Sequence, residues 1–209
     1  MEENNNPIKL KNVQTIDNFF KITSDDLSKN ITYNPFYKGT LKKETRDIAT
    51  YLIELNLLGF WTVDSQVYKK TVKYLKRNYL LGFFKRSLCK KLALELSQKG
   101  IFVGIIDHKK DKSYFYSDGV KENWTNENLV IKYKITNNDL GNLELISKNH
   151  VWNNGSWIYD IEDYFSNKNI ENFLMDEYMH ICMTSSQFIN DEFFKECKNA
   201  VHKVVNNNL

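Results

Sequence analysis

Residues 85–116 read KRSLCKKLALELSQKGIFVGIIDHKKDKSYFY, and this stretch decides the predicted fold. Leu88, Leu92 and Leu96 recur at the spacing of one helical face. We therefore predict an amphipathic helix over about residues 85–98, with its apolar side against a core.

The second half of this stretch predicts a β-hairpin. Gly100 ends the helix, because glycine readily takes the left-handed conformation that closes a helix. A short apolar run at 101–106 is then followed by a polar turn at 108–112 and three aromatic residues at 114–116. Two short runs of this kind on either side of a polar turn are typical of paired strands.

Two more helices are predicted before this stretch. Apolar residues recur at helical spacing over about residues 44–58 and stop at Gly59. Asp64 or Ser65 can cap a second helix that runs to Arg77, because a short side-chain oxygen accepts hydrogen bonds from the first free amides. Three helices closed by a hairpin form a winged-helix arrangement.

Residues beyond this unit predict hairpins followed by helices. Alternating apolar residues occur at 129–135 and 143–146, and Asn154-Gly155 is a strong tight-turn signal. An apolar stripe from Phe193 to Val204 predicts a terminal helix. The predicted fold is α+β, with an irregular lead-in at 1–40, a winged-helix-like unit of three helices plus a β-hairpin at 41–118, and an acidic unit of antiparallel β-hairpins and C-terminal helices at 119–209. We expect the last unit to depend on its neighbour, since three tryptophans favour packing inside.

Composition excludes several classes of protein. The chain has 209 residues, 42% of them hydrophobic and 14% aromatic, which is enough to bury a core and excludes a collagen-like, disordered or disulfide-scaffold protein. Three cysteines are an odd number, and no stretch resembles a secretory signal. No apolar run approaches the roughly 20 residues of a membrane span. We expect a cytoplasmic protein, peripheral to a membrane at most.

Charge is unevenly distributed along the chain. The net charge is only +3, but residues 41–116 carry 16 basic and 7 acidic side chains, whereas residues 117–209 carry 8 and 14. This asymmetry indicates two surfaces with different uses.

Basic residues on the second and third predicted helices are the strongest functional signal. Residues three and four apart share a helical face, so these side chains can form one cationic surface. They are Lys69, Lys70, Lys73, Lys76, Arg77, Lys85, Arg86, Lys90 and Lys91. Such a surface suits anionic lipid head groups, a nucleic-acid backbone or an acidic protein, although it is also compatible with a solvated face that has no partner.

Catalytic and metal-binding motifs are absent from the sequence. There is no glycine-rich phosphate loop, no Gly-x-Ser-x-Gly and no His-Glu-x-x-His. Cys89 lies on a stripe of leucines, where a buried thiol is inert. The group His180, Cys182, Cys197 and His202 matches no zinc spacing. We expect no enzymatic activity, no cofactor and no metal, and we interpret the acidic residues of the tail as a solvated face.

Residues 45–118 resemble a DEP domain. The run at 71–78, TVKYLKRN, is similar to the second helix of that family, residues 86–102 are similar to its third helix, and residues 107–116 look like its closing hairpin. Tyr74 stands where the family usually has tryptophan, and the family's basic β-hairpin arm is reduced here to residues 60–64.

The resemblance implies a non-catalytic signalling or adaptor protein inside the cell. Its DEP-like domain would dock to an anionic membrane or to a protein partner, with no active site and no cofactor. The alternative is a winged-helix protein that binds nucleic acid, with the third helix in the major groove and Lys109, Lys110 and Lys112 on phosphates. In a third interpretation the functional surface is the acidic C-terminal unit, which would imitate phosphate groups and bind a basic partner.

Overall fold

A computed structural model describes residues 14–34, 37–67, 69–70, 75–76, 78–107, 109–110, 112–117, 120–125, 130–134, 142–146, 168–185 and 191–208. The helices are α1 (Ile16–Ser28), α2 (Lys43–Arg46), α3 (Ala49–Leu57), α4 (Arg86–Ser97), α5 (Lys168–Glu177) and α6 (Asp191–Asn206). The strands are β1 (Ile31–Asn34), β2 (Tyr37–Thr40), β3 (Trp61–Gln66), β4 (Lys69–Lys70), β5 (Leu75–Lys76), β6 (Tyr79–Lys85), β7 (Ile101–Asp107), β8 (Lys112–Ser117), β9 (Val120–Thr125), β10 (Val130–Lys134), β11 (Asn142–Ile146) and β12 (Tyr178–Ser185). The prediction of an α+β fold is confirmed.

Six strands form one antiparallel sheet in the order β3-β6-β12-β7-β8-β9. β12 comes from the C-terminal part of the chain, and it lies between β6 and β7 and pairs antiparallel with both. β6 and β7 therefore run in the same direction, and α4 provides the crossover that two such strands require. The sheet takes strands from both sides of the predicted boundary between residues 118 and 119.

The main core lies on one face of the sheet, beneath α3, α4 and α6. Leu80, Phe84 and Met183 of the sheet are almost completely buried there, together with Leu92 of α4 and Phe193 of α6. Burial of one such side chain contributes about 1.5–3 kcal/mol. The apolar stripes predicted for the helix after residue 85 and for the terminal helix are confirmed.

The opposite face carries a smaller aromatic cluster under α1 and α5. The ring of Trp61 on β3 packs edge-on against Phe19 of α1 at 4.8 Å and stacks on Phe83 of β6 at 5.2 Å between ring centroids. Ile170 and Leu174 of α5 complete the cluster. The sheet is therefore buried on both faces around β3 and β6.

The expectation of an irregular lead-in is wrong for residues 16–40. Thr15 caps α1 by accepting a hydrogen bond from the amide of Asn18 at 3.2 Å, and β1 pairs with β2 as a hairpin. The helical period was obscured because polar residues, Thr23 and Ser24, occupy buried positions on α1. Both hydroxyls donate to the carbonyl oxygen of Phe20, which satisfies them without exposure.

The expectation of a helix from residue 64 to residue 77 is also wrong. β3 extends to Gln66, and residues 69–70 and 75–76 are strands. Trp61 and Val63 are buried while Thr62 and Asp64 are half-buried, which is the two-residue period of a strand. Valine and threonine are frequent in this segment and favour extended backbone, whereas the lysine spacing matched a helix by coincidence.

Several other predictions have clear outcomes. Gly59 and Gly100 have positive φ angles of 82° and 75° and end α3 and α4 as predicted. The first predicted helix is interrupted at Asp47 and Ile48, so the structure has two helices there, α2 and α3. The hairpins predicted at 101–116 and 129–146 are confirmed as β7–β8 and β10–β11. The turn at Asn154-Gly155 lies outside the described residues.

Candidate anion-binding surface

A hairpin between β3 and β6 is strongly basic. β3 and β6 pair as far as Gln66 and Tyr79, and β4 and β5 pair with each other beyond that point. We call residues 67–78 the basic arm. It contains five basic residues and no acidic residue. The expectation that a basic hairpin is reduced to residues 60–64 is therefore wrong.

Hydrogen bonds hold the base of the basic arm to the sheet. The hydroxyl of Tyr79 donates to Oδ2 of Asp64 at 2.6 Å, and Oδ1 of Asp64 accepts from the amide of Ser65 at 2.8 Å. The hydroxyl of Thr184 on β12 donates to the carbonyl oxygen of Asn78 at 2.8 Å, and both residues are buried. The arm therefore starts from a fixed position at the end of three paired strands.

Two lysines of the basic arm are directly opposite each other in the ladder. The register pairs Lys69 with Lys76 and Lys70 with Leu75. Like charges at directly opposed positions of an antiparallel pair are destabilising. The register therefore concentrates positive charge at one position of the arm.

The structure divides the predicted site residues into three groups. Lys69, Lys70 and Lys76 lie in the basic arm, and Lys73 and Arg77 lie outside the described residues. Lys85, Lys90 and Lys91 are exposed at the end of β6 and on α4, and Nζ of Lys91 donates to Oδ1 of Asn208. Arg86 forms a group of its own, because its guanidinium points into the protein.

Arg86 joins α4 to the end of α5. Its Nε donates to the carbonyl oxygen of Asp176 at 2.8 Å, and its Nη2 donates to those of Met175 and Tyr178 at 3.3 and 3.4 Å. These carbonyl oxygens lie at the C-terminal end of α5, where a cation is favoured by the helix dipole. The expectation that Arg86 belongs to the ligand-binding surface is not supported by these contacts, since they occupy its donors.

Asp107 is the charged partner of Arg86. Its side chain is 0% exposed, and Oδ1 accepts from Nη1 of Arg86 and from the amide of Lys110. Oδ2 has no hydrogen-bond partner among the described residues, and Nζ of Lys110 is 3.9 Å from it. A completely buried carboxylate is strongly destabilising without a cationic partner, so Arg86 and Asp107 form a structural ion pair. We call Arg86, Asp107 and the three carbonyl groups the Arg86 junction.

A second ion pair lies outside the Arg86 junction and is exposed to solvent. Nζ of Lys109 is 2.8 Å from Oδ1 of Asp176, and the two side chains are 58% and 59% exposed. The hydrogen bond from Lys109 lowers the pKa of Asp176. Lys109, which was expected to contact nucleic-acid phosphates in the alternative interpretation, therefore has an internal carboxylate as its partner.

Ion pairs across the chain do not cancel the uneven charge. Lys99 and Lys109 of the basic middle region pair with Glu196 and Asp176 of the acidic region. In the reverse direction, Lys198 and Lys203 pair with Glu54 and Glu95. Among the residues that the structure describes, two pairs of each kind leave the excess positive charge of residues 41–116 as it was.

The cysteines have the properties of core residues. Burial raises the pKa of the Cys89 thiol to about 12, and it also raises those of Cys182 and Cys197. A buried neutral thiol is a poor nucleophile. Within the described parts of the chain, no group of three His, Cys, Asp or Glu side chains could hold a metal ion.

The residues that sequence reasoning missed are the acidic partners. Asp107 follows an apolar run directly, and a lone carboxylate at the end of a buried strand indicates a buried ion pair. Nothing in the sequence points from Lys109 to Asp176, 67 residues away.

Neither a protein-family model nor a curated protein matches the chain.

Proposed function

We propose that the protein is a non-catalytic adaptor that docks to an anionic membrane surface or to an acidic signalling partner. The proposed docking surface comprises the basic arm and, from the opposite end of β6 and from α4, the exposed lysines Lys85, Lys90 and Lys91. The observation that carries the proposal is the arm itself, whose sequence holds five basic residues and no acidic one and whose strands place Lys69 opposite Lys76.

The energetic argument is electrostatic. A lysine or arginine near an anionic leaflet contributes about 1 kcal/mol, so several on one surface recruit a protein reversibly. Docking would also relieve the repulsion between the opposed lysines, which an unbound arm must tolerate. Both contributions weaken as salt increases, because the charges concerned are at the surface.

The resemblance to a DEP domain adds to this proposal and stays a prediction. α3, α4 and the β7–β8 hairpin follow in the order that the resemblance requires, while β5 lies within the run at 71–78 that resembles its second helix. A DEP-like adaptor would work in the cytoplasm at the membrane surface. Among the described residues, no helix combines the length and the apolar character that a membrane crossing needs.

The test is co-sedimentation of the full chain with vesicles of phosphatidylcholine alone and with vesicles that also contain phosphatidylserine. We expect binding to the anionic vesicles at low salt, a weaker interaction at physiological salt, and none with neutral vesicles. A variant with Lys69, Lys73, Lys76 and Arg77 changed to Glu should not bind. Binding that survives this charge reversal would contradict docking through the basic arm.

A duplex DNA competitor in the same experiment distinguishes membrane docking from the alternative function, nucleic-acid binding. If duplex displaces the protein from anionic vesicles and binds it with higher affinity, a nucleic-acid-binding function is favoured. The ion pair between Lys109 and Asp176 argues against that result, because it occupies one of the lysines expected on phosphates.

A further inference from the structure

We propose that Thr184 of β12 is a positioning residue for docking, because it holds the basic arm in the place from which the arm meets an anionic membrane surface. The inference rests on the proposed function and deepens it. Thr184 is 106 residues from Asn78, its partner in the arm. The C-terminal part of the chain would therefore serve docking by fixing the arm.

The contact lies where the paired part of the sheet ends and the basic arm begins. The ladder between β12 and β6 ends with Thr184 opposite Tyr79, and β3 ends with Gln66 opposite the same tyrosine. The hydroxyl of Thr184 donates to the carbonyl oxygen of Asn78 at 2.8 Å, one residue beyond this ladder. Asn78 is the last residue of the arm, so this side-chain bond extends the connection from the sheet into the arm.

Burial makes the bond between Thr184 and Asn78 effective. Thr184 is 2% exposed and Asn78 is 1% exposed, so water is largely excluded from both. A buried carbonyl group that loses a hydrogen-bond partner bears a desolvation cost. The base of the arm can leave its position only by breaking this buried bond.

A fixed arm should bind a surface more tightly than a mobile arm of the same charge. Ordering a flexible segment at an interface costs conformational entropy, and a segment that is already held in its bound position avoids this cost. Lys76, one of the two opposed lysines, is two residues from Asn78 in the chain. Loss of the Thr184 bond should therefore lower the affinity for an anionic membrane while every charge of the arm is kept.

The first experiment compares vesicle binding of Thr184→Val and Thr23→Val in the full chain. Each change removes one buried hydroxyl and keeps a similar side-chain shape. Thr23 is the matched control, because it is 6% exposed and donates to the carbonyl oxygen of Phe20 at 2.9 Å within α1, which is not part of the arm.

We expect Thr184→Val to bind phosphatidylserine-containing vesicles about fivefold more weakly at low salt, as the loss of one hydrogen bond implies. Thr23→Val should bind as the natural chain does, although both variants should unfold at a lower urea concentration. Thr184→Ser keeps the hydroxyl and should bind within about twofold of the natural chain. This rescue separates the hydrogen bond from the packing of the threonine.

The second experiment measures the position of the arm without a ligand. The five basic residues of the arm are trypsin sites, and cleavage of a folded protein follows the population of locally opened states. We expect cleavage within residues 67–78 to be about fivefold faster in Thr184→Val than in Thr23→Val or Thr184→Ser.

The two experiments distinguish failure of the inference from failure of the proposed function. If Thr184→Val binds vesicles as tightly as Thr23→Val, with or without faster cleavage of the arm, the inference is overturned and the proposed function stands. Absence of anionic-vesicle binding by the natural chain would overturn the proposed function, and the effect of Thr184 on affinity with it. The cleavage rates would then still decide whether Thr184 holds the arm.

Discussion

Arg86 and the lysines of the basic arm carry the same charge in the same region, yet the structure uses them in opposite ways. Arg86 is 20% exposed and bonds to a buried carboxylate and three carbonyl groups. Lys69 and Lys76 stand opposite each other on a hairpin that holds no acidic residue. The role of a cation therefore depends on which groups neighbouring elements bring to it, and its spacing along the chain does not determine that role.

The largest expected effect comes from removing the charge of Arg86. Arg86→Met should lower the free energy of unfolding by about 3–5 kcal/mol, because Asp107 would remain buried without its cation. Urea denaturation followed by tryptophan fluorescence measures this change. Lys90→Met on the exposed side of the same helix is the control, and we expect it to change stability by less than about 0.5 kcal/mol. Equal effects of the two variants would show that the Arg86 junction has no special role.

Alkaline pH extends the comparison from buried cations to buried thiols. The folded-state pKa of Cys89 is about 12 against 9.0 for a free thiol, so the unfolded chain releases its proton first. Stability is then fully present below about pH 9 and is lost as pH rises toward 12. From Cys89 alone we expect a loss of about 2 kcal/mol by about pH 10.5. Burial also raises the pKa of Tyr178 to about 12, which acts in the same direction above pH 10.

Urea midpoints at neutral pH and at about pH 10.5 would measure this loss. Cys89→Ala removes the titrating group, and its stability should depend less on pH in this range, although the cavity lowers its stability at every pH. A natural chain that is equally stable at both pH values would contradict the burial of its thiols.

A conservative change separates the charge of Arg86 from its geometry. Arg86→Lys keeps one positive charge for Asp107 but cannot reach the carbonyl groups of residues 175, 176 and 178 at once. We expect a loss of about 1–2 kcal/mol, intermediate between the natural chain and Arg86→Met. If Arg86→Lys were as stable as the natural chain, the bonds to the end of α5 would contribute nothing.

The smallest expected effect has the opposite sign and comes from the basic arm. Lys76→Glu places opposite charges at the opposed positions 69 and 76, which should stabilise the protein by about 0.2–1 kcal/mol. The same change should weaken binding to anionic vesicles. Lys90→Glu also removes a positive charge from the docking surface but has no opposed lysine, so it should weaken binding without the gain in stability. Destabilisation by Lys76→Glu would contradict the register of β4 and β5.

The parts of the fold that the sequence predicted are those whose signals are local. The leucine stripe of α4, the φ angles of Gly59 and Gly100 and the β7–β8 hairpin depend on residues close together in the chain. α1 was missed because buried Thr23 and Ser24 interrupt its apolar period. The segment from residue 64 to residue 77 matches a helical pattern because Lys69, Lys73 and Lys76 are spaced by four and three residues, while the pairing partners of β3 and β4 lie further along the chain.

The same distinction applies to the docking surface. Exposure of Lys90 and Lys91 follows from the helical period of α4, and it was predictable. The partners of Arg86 lie 21 residues away at Asp107 and 90 residues away at Asp176, and only the insertion of β12 between β6 and β7 brings them together. Tertiary contacts of this range leave no periodic signal in a single sequence.

The most direct test of docking through the basic arm measures vesicle binding and urea stability of one triple variant, in which Lys69, Lys70 and Lys76 are all changed to Gln. We predict that it loses salt-sensitive binding to phosphatidylserine-containing vesicles while its unfolding midpoint equals or slightly exceeds that of the natural chain. Vesicle binding as strong as that of the natural chain, measured with a folded variant, would contradict docking through the basic arm.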